Sequence, residues 1–183
     1  LECVGSGAVS APFTATEDSD CAIIIGARPT TNHPVAATYI KQAAKKGTKI
    51  IIMDPRKNDM SRHAWEHLEF KPGMDVAMLN ALIYTIIEEE LYDKQYVQSM
   101  TNGFEELKDS IAGFSPELMS EKCGIDSSTL RKVARVYANS EKSIIFWGMG
   151  ISQHVHGTDN ARCLITLSLI TGQIGRPGTG LHP

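Results

Sequence analysis

Three polar loops in this sequence carry side chains that could bind an anionic, nucleotide-like ligand. The first loop follows the apolar run 22–25. Its candidate binding residues are Gly26, through its backbone, and Arg28, Thr31 and Asn32. A cation, a hydroxyl and an amide before the N-terminus of a helix can bind diphosphate or ribose oxygens. Turn formation and helix capping explain Asn32 and the following Pro34 equally well, so both interpretations stay open.

The second loop is Asp54-Pro55-Arg56, directly after the apolar run 49–53. A carboxylate at this position can accept hydrogen bonds from ribose hydroxyls or from the N–H edge of guanine, and an arginine can stack or donate. The alternative is an Asp-Pro turn that only ends a strand.

The third loop contains Met149, Gly150 and Gln153 and follows the apolar run 143–147. Glycine allows a ligand to approach the backbone closely, and a glutamine amide can both donate and accept. A single G-x-G is weak evidence alone. Three such loops after three buried runs are stronger evidence together.

Several other kinds of site are not predicted. The first loop has only Gly26 where the dinucleotide fingerprint needs G-x-G-x-x-G, so an NAD site is not expected. His63 and His67 have zinc-like spacing but lack an H-E-x-x-H motif, and His154 and His156 lack further ligands. The cysteines form no C-x-x-C pair, which predicts buried or incidental thiols and a reducing, cytoplasmic location.

The elements that position these loops predict an α/β protein. Strands are expected at 22–25, 49–53 and 143–147, with a short one at 67–70, because continuous apolar runs are typical of parallel strands buried on both faces. Helical spacing predicts further segments at 34–46, 74–90, 127–139 and 157–171, the last burying Ala161, Leu164, Ile165, Ser168 and Leu169. Residues 1–20 are expected to be mostly loop with a short helix near 11–17.

We therefore predict one three-layer α/β/α domain, residues 1–183, with a mostly parallel Rossmann-like sheet. A helix-rich insertion at about 92–140 would carry helices near 93–99, 103–111 and 115–122.

Composition is ordinary for a globular domain of 183 residues. The net charge of −3 gives no reason to expect nucleic acid or an anionic membrane as a partner, and no apolar run approaches the roughly 20 residues of a membrane span. The first seven residues have neither a basic start nor an apolar core, so no signal peptide is predicted. Since the sequence lacks an initiator Met, we expect a piece of a longer protein.

The ordered motifs resemble the molybdopterin oxidoreductase family, and most of all the catalytic (alpha) subunits of molybdenum- or tungsten-dependent formate dehydrogenases. They are GARPTTNHPVAATYIKQAAKKGTKIIIMDPR, HLEFKPGMDVAMLNALIYTIIEEELYDKQYV, GFEEL, IIFWGMGISQHVHGTDN and LITLSLITGQIGRPGTGLHP. The resemblance implies a domain that binds one of two molybdopterin guanine dinucleotides. The first loop would meet phosphates and ribose, Asp54, Pro55 and Arg56 would meet guanosine, and Gly73 and Asp75 would complete that pocket. The third loop would approach the metal-bearing pterin.

The resemblance also implies a parent enzyme that converts formate to carbon dioxide and passes two electrons to an iron–sulfur relay. The 4Fe-4S cluster, the metal ligand and the catalytic arginine would lie outside this sequence, so Cys3 and Arg176 are not expected to take those roles, and the fragment is expected to be inactive. Expected partners are the parent's other domains and electron-transfer subunits. Nitrate reductase is the main alternative among sister enzymes, and a non-catalytic nucleotide-binding or subunit-contact module is the alternative from another class.

Overall fold

A parallel sheet lies at the centre of the computed structural model, which describes residues 3–5 and 9–183. Its strands are β1 (Cys21–Ile25), β2 (Lys49–Met53), β3 (Glu66–Leu68), β4 (Ser143–Trp147) and β5 (Gly180–His182). Within these residues the strand order is β3-β2-β1-β4-β5, and every neighbouring pair is parallel. All five side chains of β1 are buried, as expected of a strand covered on both faces. The predicted α/β class and Rossmann-like sheet are confirmed.

Helices cover both faces of the sheet. They are α1 (Pro29–Asn32), α2 (Pro34–Lys46), α3 (Asp75–Glu88), α4 (Lys94–Met100), α5 (Phe104–Ile111), α6 (Pro116–Cys123), α7 (Ser127–Asn139), α8 (Met149–Ser152) and α9 (Gly157–Ile170), with 3-10 helices at Phe13–Asp18 and Asp59–His63. No helix in this described part of the chain is long and apolar enough to cross a membrane.

The alternation of side chains along β1 divides the core into two halves. Ile23 and Ile25 point to the face covered by α3, α7 and α9, while Ala22 and Ile24 point to the face covered by α2 and the 3-10 helices. Burial of both faces gives the three layers that the sequence predicts.

An ionic cluster joins three helices of the larger outer layer. The Arg131 guanidinium on α7 contacts Glu88 and Glu89 at the end of α3, at 2.6 and 3.2 Å, and Glu117 on α6 at 2.9 Å. Only 21% of the Arg131 side chain is exposed. The cation offsets the unfavourable position of acidic side chains at the C-terminus of α3.

Some local predictions need correction. The first and third loops each contain one helical turn, α1 and α8, that the loop assignment did not include. Strand β3 is Glu66–Leu68 rather than 67–70, and α3 is Asp75–Glu88 rather than 74–90. Neither β5 nor the 3-10 helix at Asp59–His63 was predicted, because neither contains an apolar run. The helix expected near 11–17 is the 3-10 helix Phe13–Asp18, and residues 1–2 and 6–8 of the expected N-terminal loop lie outside the described residues.

The N-terminal segment pairs with the outer edge of β5. The Ser10 N–H donates to the Leu181 carbonyl at 2.9 Å, and the Leu181 N–H donates to Ser10 Oγ at 2.7 Å. Gly180 makes this approach possible, since a Cβ there would lie 2.8 Å from the Ala11 Cβ. Both backbone polar groups of Leu181 at this edge are therefore satisfied.

Candidate functional site

The strand order reverses between β1 and β4, and the first and third loops follow those two strands. In open parallel sheets, ligands bind outside the carboxyl ends of the strands at such a reversal. The second loop follows the neighbouring strand β2. All three loops therefore lie at the carboxyl edge of the sheet.

Three glycines bring the first and third loops into backbone contact. Gly26 has φ of +58°, and a Cβ there would lie 2.8 Å from the Ile151 backbone nitrogen. A Cβ on Gly148 or on Gly150 would lie 2.8 Å from the Gly26 carbonyl oxygen. The Gly148 N–H donates to the Ile25 carbonyl at 3.2 Å, and the Gly150 N–H donates to the Gly26 carbonyl at 3.1 Å. We call Gly26, Gly148 and Gly150 the glycine crossing, because only residues without a Cβ fit at this distance.

The first loop exposes its polar side chains. Arg28, Thr31 and Asn32 are exposed, and the Arg28 guanidinium forms no ion pair with any residue that the structure describes. Helix α2 begins with Pro34 and has no side-chain cap, so Asn32 does not serve as the cap that the alternative interpretation requires. The Thr30 hydroxyl is buried without a hydrogen-bond partner among the described residues. These groups are available to an anionic or hydroxyl-rich ligand.

The second loop is held by hydrogen bonds at its start. One carboxylate oxygen of Asp54, Oδ1, accepts from the Arg56 N–H at 2.8 Å, and the Asp54 N–H donates to the Leu68 carbonyl at 3.2 Å. The other carboxylate oxygen has no partner in the part of the chain described. The Arg56 side chain is exposed, and within the same residues it forms no ion pair. Pro55 lies between these two groups, which the turn presents to solvent.

His67 supports this loop from β3. Its Nε2 lies 3.1 Å from the Asp54 carbonyl oxygen, which can only accept, so Nε2 carries the proton. His63 ends a 3-10 helix while His67 lies in a strand, so the helical i, i+4 geometry of a zinc site does not form. This support was not predicted, because it depends on β3 pairing beside β2, which brings His67 next to the second loop.

The Pro-Gly-Met-Asp turn lies beside the third loop. Gly73 has φ of +84°, and a Cβ there would be 4.0 Å from the His154 ring. Asp75 is buried at the start of α3, and burial raises the pKa of its carboxyl group, while a positive charge on His154 would lower it. The turn therefore lies beside the third loop.

The third loop presents Met149 outward, with 65% of its surface exposed, and Gly150 and Gln153 are also exposed. Its one helical turn closes with a hydrogen bond from the Gln153 N–H to the Met149 carbonyl at 2.8 Å. Ile151 points the other way and is fully buried. The buried Ile151 side chain therefore anchors the loop to the core. The Met149 thioether, the Gly150 backbone and the Gln153 amide face solvent.

Other reactive groups lie elsewhere. Burial raises the pKa of the Cys21 and Cys163 thiols to about 12, which makes them poor nucleophiles, whereas Cys3 is exposed. The Arg176 guanidinium lies near the amino ends of the strands and donates to the carbonyl oxygens of Gly172 and Glu141, both at 3.2 Å. Among residues 3–5 and 9–183, no three His, Cys, Asp or Glu side chains are grouped closely enough to hold a metal ion.

The donor set fits an elongated anionic ligand better than a metal ion. The exposed guanidinium groups of Arg28 and Arg56 follow neighbouring strands, and the glycine crossing gives close access to the backbone between the first and third loops. Guanidinium groups bind phosphate oxygens, and a carboxylate such as Asp54 accepts from hydroxyl or N–H groups. The residues present can bind and orient a dinucleotide, and the chemistry of a reaction would come from the bound group.

The chain is similar over nearly its whole length to known proteins. Residues 3–183 match the family model described as Molybdopterin oxidoreductase. The chain is 39% identical over 180 residues to formate dehydrogenase H of Escherichia coli, covering 98% of this chain and 25% of that protein. It is 40% identical over 181 residues to a formate dehydrogenase alpha subunit of Methanocaldococcus jannaschii, covering 99% and 27%. It is 33% identical over 178 residues to a nitrate reductase of Synechocystis, covering 96% and 25%.

A solved structure shares the fold. Acetylene hydratase from Pelobacter acetylenicus matches with a TM-score of 0.84 and 26% sequence identity over 92% of this chain and 25% of that one. The chain thus spans about a quarter of the length of the relatives it matches. Because relatives with different named activities share this domain, the domain alone does not determine the reaction.

Proposed function

The chain belongs to the molybdopterin oxidoreductase family, and we propose that it forms one wall of a guanine dinucleotide cofactor site in a formate dehydrogenase catalytic subunit. Family membership implies a molybdenum or tungsten pterin cofactor. The observation that supports the proposal best is the meeting of three ligand-accessible loops at the strand reversal, in a chain 39% identical to a formate dehydrogenase. In this proposal, all 183 residues form one binding domain.

Each loop is proposed to bind a different part of the cofactor. Gly26, Arg28, Thr31 and Asn32 bind the phosphates and a ribose, where a guanidinium and a helix N-terminus complement negative charge. The unpaired carboxylate oxygen of Asp54 accepts from the guanosine, while Pro55 shapes the turn and Arg56 stacks or donates. Gly73 and Asp75 close the pocket.

The third loop would face the pterin. Met149, Gly150 and Gln153 line this end, where the amide of Gln153 can satisfy both donors and acceptors on a fused ring. When bound, the cofactor supplies the metal at which formate is oxidised to carbon dioxide. The chain's own residues bind, orient and partly cover it.

The rest of the parent protein completes the proposed enzyme. The other three quarters of the relatives' length would supply the metal ligand, the catalytic arginine and a 4Fe-4S cluster, from which electron-transfer subunits take two electrons. A cytoplasmic location belongs to the same proposal. The fragment alone should show no formate-dependent dye reduction, and turnover by a purified, metal-loaded fragment would contradict this division of roles.

Nitrate reduction is the second candidate, because a nitrate reductase is 33% identical over 96% of the chain. The two candidates share the cofactor and differ in residues outside this domain. Assay of the full-length parent with formate and with nitrate as separate substrates distinguishes them.

Binding of guanosine diphosphate tests the role of the loops directly. Calorimetry should show weak binding to the wild-type chain and binding to Arg56→Ala that is weaker by about tenfold or more, since a hydrogen bond from a charged group contributes about 1.5–3 kcal/mol. Arg135→Ala removes the same charge from an exposed site on α7 and is the matched control. Equal affinities for the wild type and Arg56→Ala would remove Arg56 from the site.

A further inference from the structure

Asn160 is a fully buried amide behind the third loop. It is the fourth residue of α9 and has no exposed surface. Its Nδ2 donates to the Ile151 carbonyl at 3.2 Å, and its Oδ1 is buried with no hydrogen-bond partner among the described residues. Burying an amide with one half unsatisfied costs free energy.

The hydrogen bond from Asn160 satisfies a carbonyl at the end of α8 that has no partner within the helix. Helix α8 has only one turn, so its last carbonyls have no partner within the helix. Asn160 satisfies the Ile151 carbonyl, and Gly157 lies so close to the Ser152 carbonyl that a Cβ there would be 2.2 Å from its oxygen. The start of α9 therefore covers the end of α8 directly.

Ile151 also lies against the glycine crossing. Its backbone nitrogen would lie 2.8 Å from a Cβ on Gly26, and it donates to the Gly148 carbonyl at 3.0 Å. The backbone of Ile151 thus lies close to Gly26 and is also bonded by the Asn160 amide. Met149, Gly150 and Gln153 are attached to this backbone.

We propose that Asn160 is a positioning residue, whose amide N–H holds the Ile151 carbonyl and so sets the third loop in the orientation that receives the ligand. Naming that ligand as the pterin end of the cofactor rests on the proposed function. The hydrogen bond itself does not. Asn160 touches the loop backbone and acts on the ligand only through it.

Hydrogen–deuterium exchange on the chain without ligand tests the positioning role. Asn160→Ala should speed exchange of the Gly150, Ile151 and Gln153 amides by about tenfold or more relative to the strands, since a buried carbonyl loses its donor. Ser168→Ala is the matched control, because Ser168 is equally buried on α9 but bonds Tyr137, away from the loop. Ser168→Ala should not speed amide exchange in the third loop more than it does elsewhere in the chain.

Asn160→Asp separates hydrogen bonding from packing. Aspartate has almost the same shape, but its carboxylate cannot donate to the Ile151 carbonyl, so protection of the loop should be lost at about pH 9, where even a buried carboxyl group is largely ionised. A buried carboxyl group protonates more readily than an exposed one, and its O–H can then donate. Protection factors should therefore recover towards the wild-type values at about pH 5, while the wild type keeps its own at both pH values.

Two results would overturn the positioning role. One is loop protection in Asn160→Asp at about pH 9 equal to that of the wild type. The other is a uniform effect of Asn160→Ala that matches Ser168→Ala. If Asn160→Ala does not fold, the pH series on Asn160→Asp decides the question. Calorimetry with guanosine diphosphate on the wild type is a separate arm, and absence of binding there overturns the proposed function without changing the exchange result.

Discussion

The glycine crossing predicts that Gly150→Ala will destabilise the chain, even though alanine usually stabilises a helical turn. The new Cβ would lie 2.8 Å from the Gly26 carbonyl oxygen and 2.9 Å from the Gly26 Cα. Both neighbours are backbone atoms, so neither can rotate away. Restoring ordinary contact needs a separation of the two loops by about 0.6 Å. That movement stretches the hydrogen bond between the Gly150 N–H and the Gly26 carbonyl, now 3.1 Å, beyond useful length.

The size of the effect follows from three terms. Overpacking against backbone costs about 1–3 kcal/mol. Loss of the Gly150 hydrogen bond costs about 1 kcal/mol. The lower conformational entropy of alanine in the unfolded chain returns about 0.4–1 kcal/mol. We therefore expect the free energy of unfolding to fall by about 2 kcal/mol. For a chain of this size, Tm should fall by about 4–8 °C.

Urea denaturation of purified variants measures this difference. Gly113→Ala is the matched control, because Gly113 has nothing within 4 Å of its would-be Cβ and no positive φ. It should be neutral or slightly stabilising. If Gly150→Ala unfolds within about 0.5 kcal/mol of Gly113→Ala, which is the ordinary range for a surface substitution, the two loops are not in contact as described.

The other predictions concern the ionic cluster and the cysteines. Arg131→Met should lower the free energy of unfolding in urea by about 1–2 kcal/mol at neutral pH, because it leaves the carboxylates of α3 and α6 without their shared cation. This difference should shrink as pH falls below the ordinary glutamate value of 4.5, since a hydrogen bond from Arg131 lowers the pKa of Glu117 and protonation then removes that stabilisation; a constant difference down to acid unfolding would contradict it. A thiol reagent at neutral pH should modify Cys3 rapidly and the buried Cys21 and Cys163 only on unfolding, and Cys3→Ser should abolish the fast phase.

The central strands were predictable because each one is a local run of apolar residues in the sequence. Strands β1, β2 and β4 are continuous β-branched or apolar runs, as double-sided burial requires. Strand β5 has three residues after a glycine-rich turn, and its pairing depends on contacts with β4 and Ser10 that are distant in sequence. No local pattern could indicate it.

The phase of α9 shows a second limit of sequence reasoning. The predicted buried face included Ala161, Ile165 and Leu169, which are only partly buried. The structure does bury the predicted Leu164 and Ser168, and it also buries Asn160, Cys163 and Leu167, which were not predicted. A polar residue such as Asn160 is normally assigned to the surface, so a rotation of the helix that buries it is not chosen from hydrophobicity.

The candidate site was predictable in its position but not in its internal contacts. Strand ends indicated where the three loops lie, because parallel strands share one carboxyl edge. The contact between Gly26 and Gly150 joins segments far apart in sequence, and a lone G-x-G could not reveal it. The bond from His67 to the Asp54 carbonyl likewise appears only when β3 lies beside β2.

The pairing of Ser10 with Leu181 has a consequence for how the chain behaves at high concentration. An open strand edge is a template on which a second molecule can add a strand, and this is a common start of aggregation. Both edge strands, β3 and β5, have only three residues, and Ser10 already occupies the N–H and the carbonyl of Leu181. The β5 edge is therefore closed to a second copy at its centre. Substitution of Ser10 by proline, which removes the N–H, would reopen it.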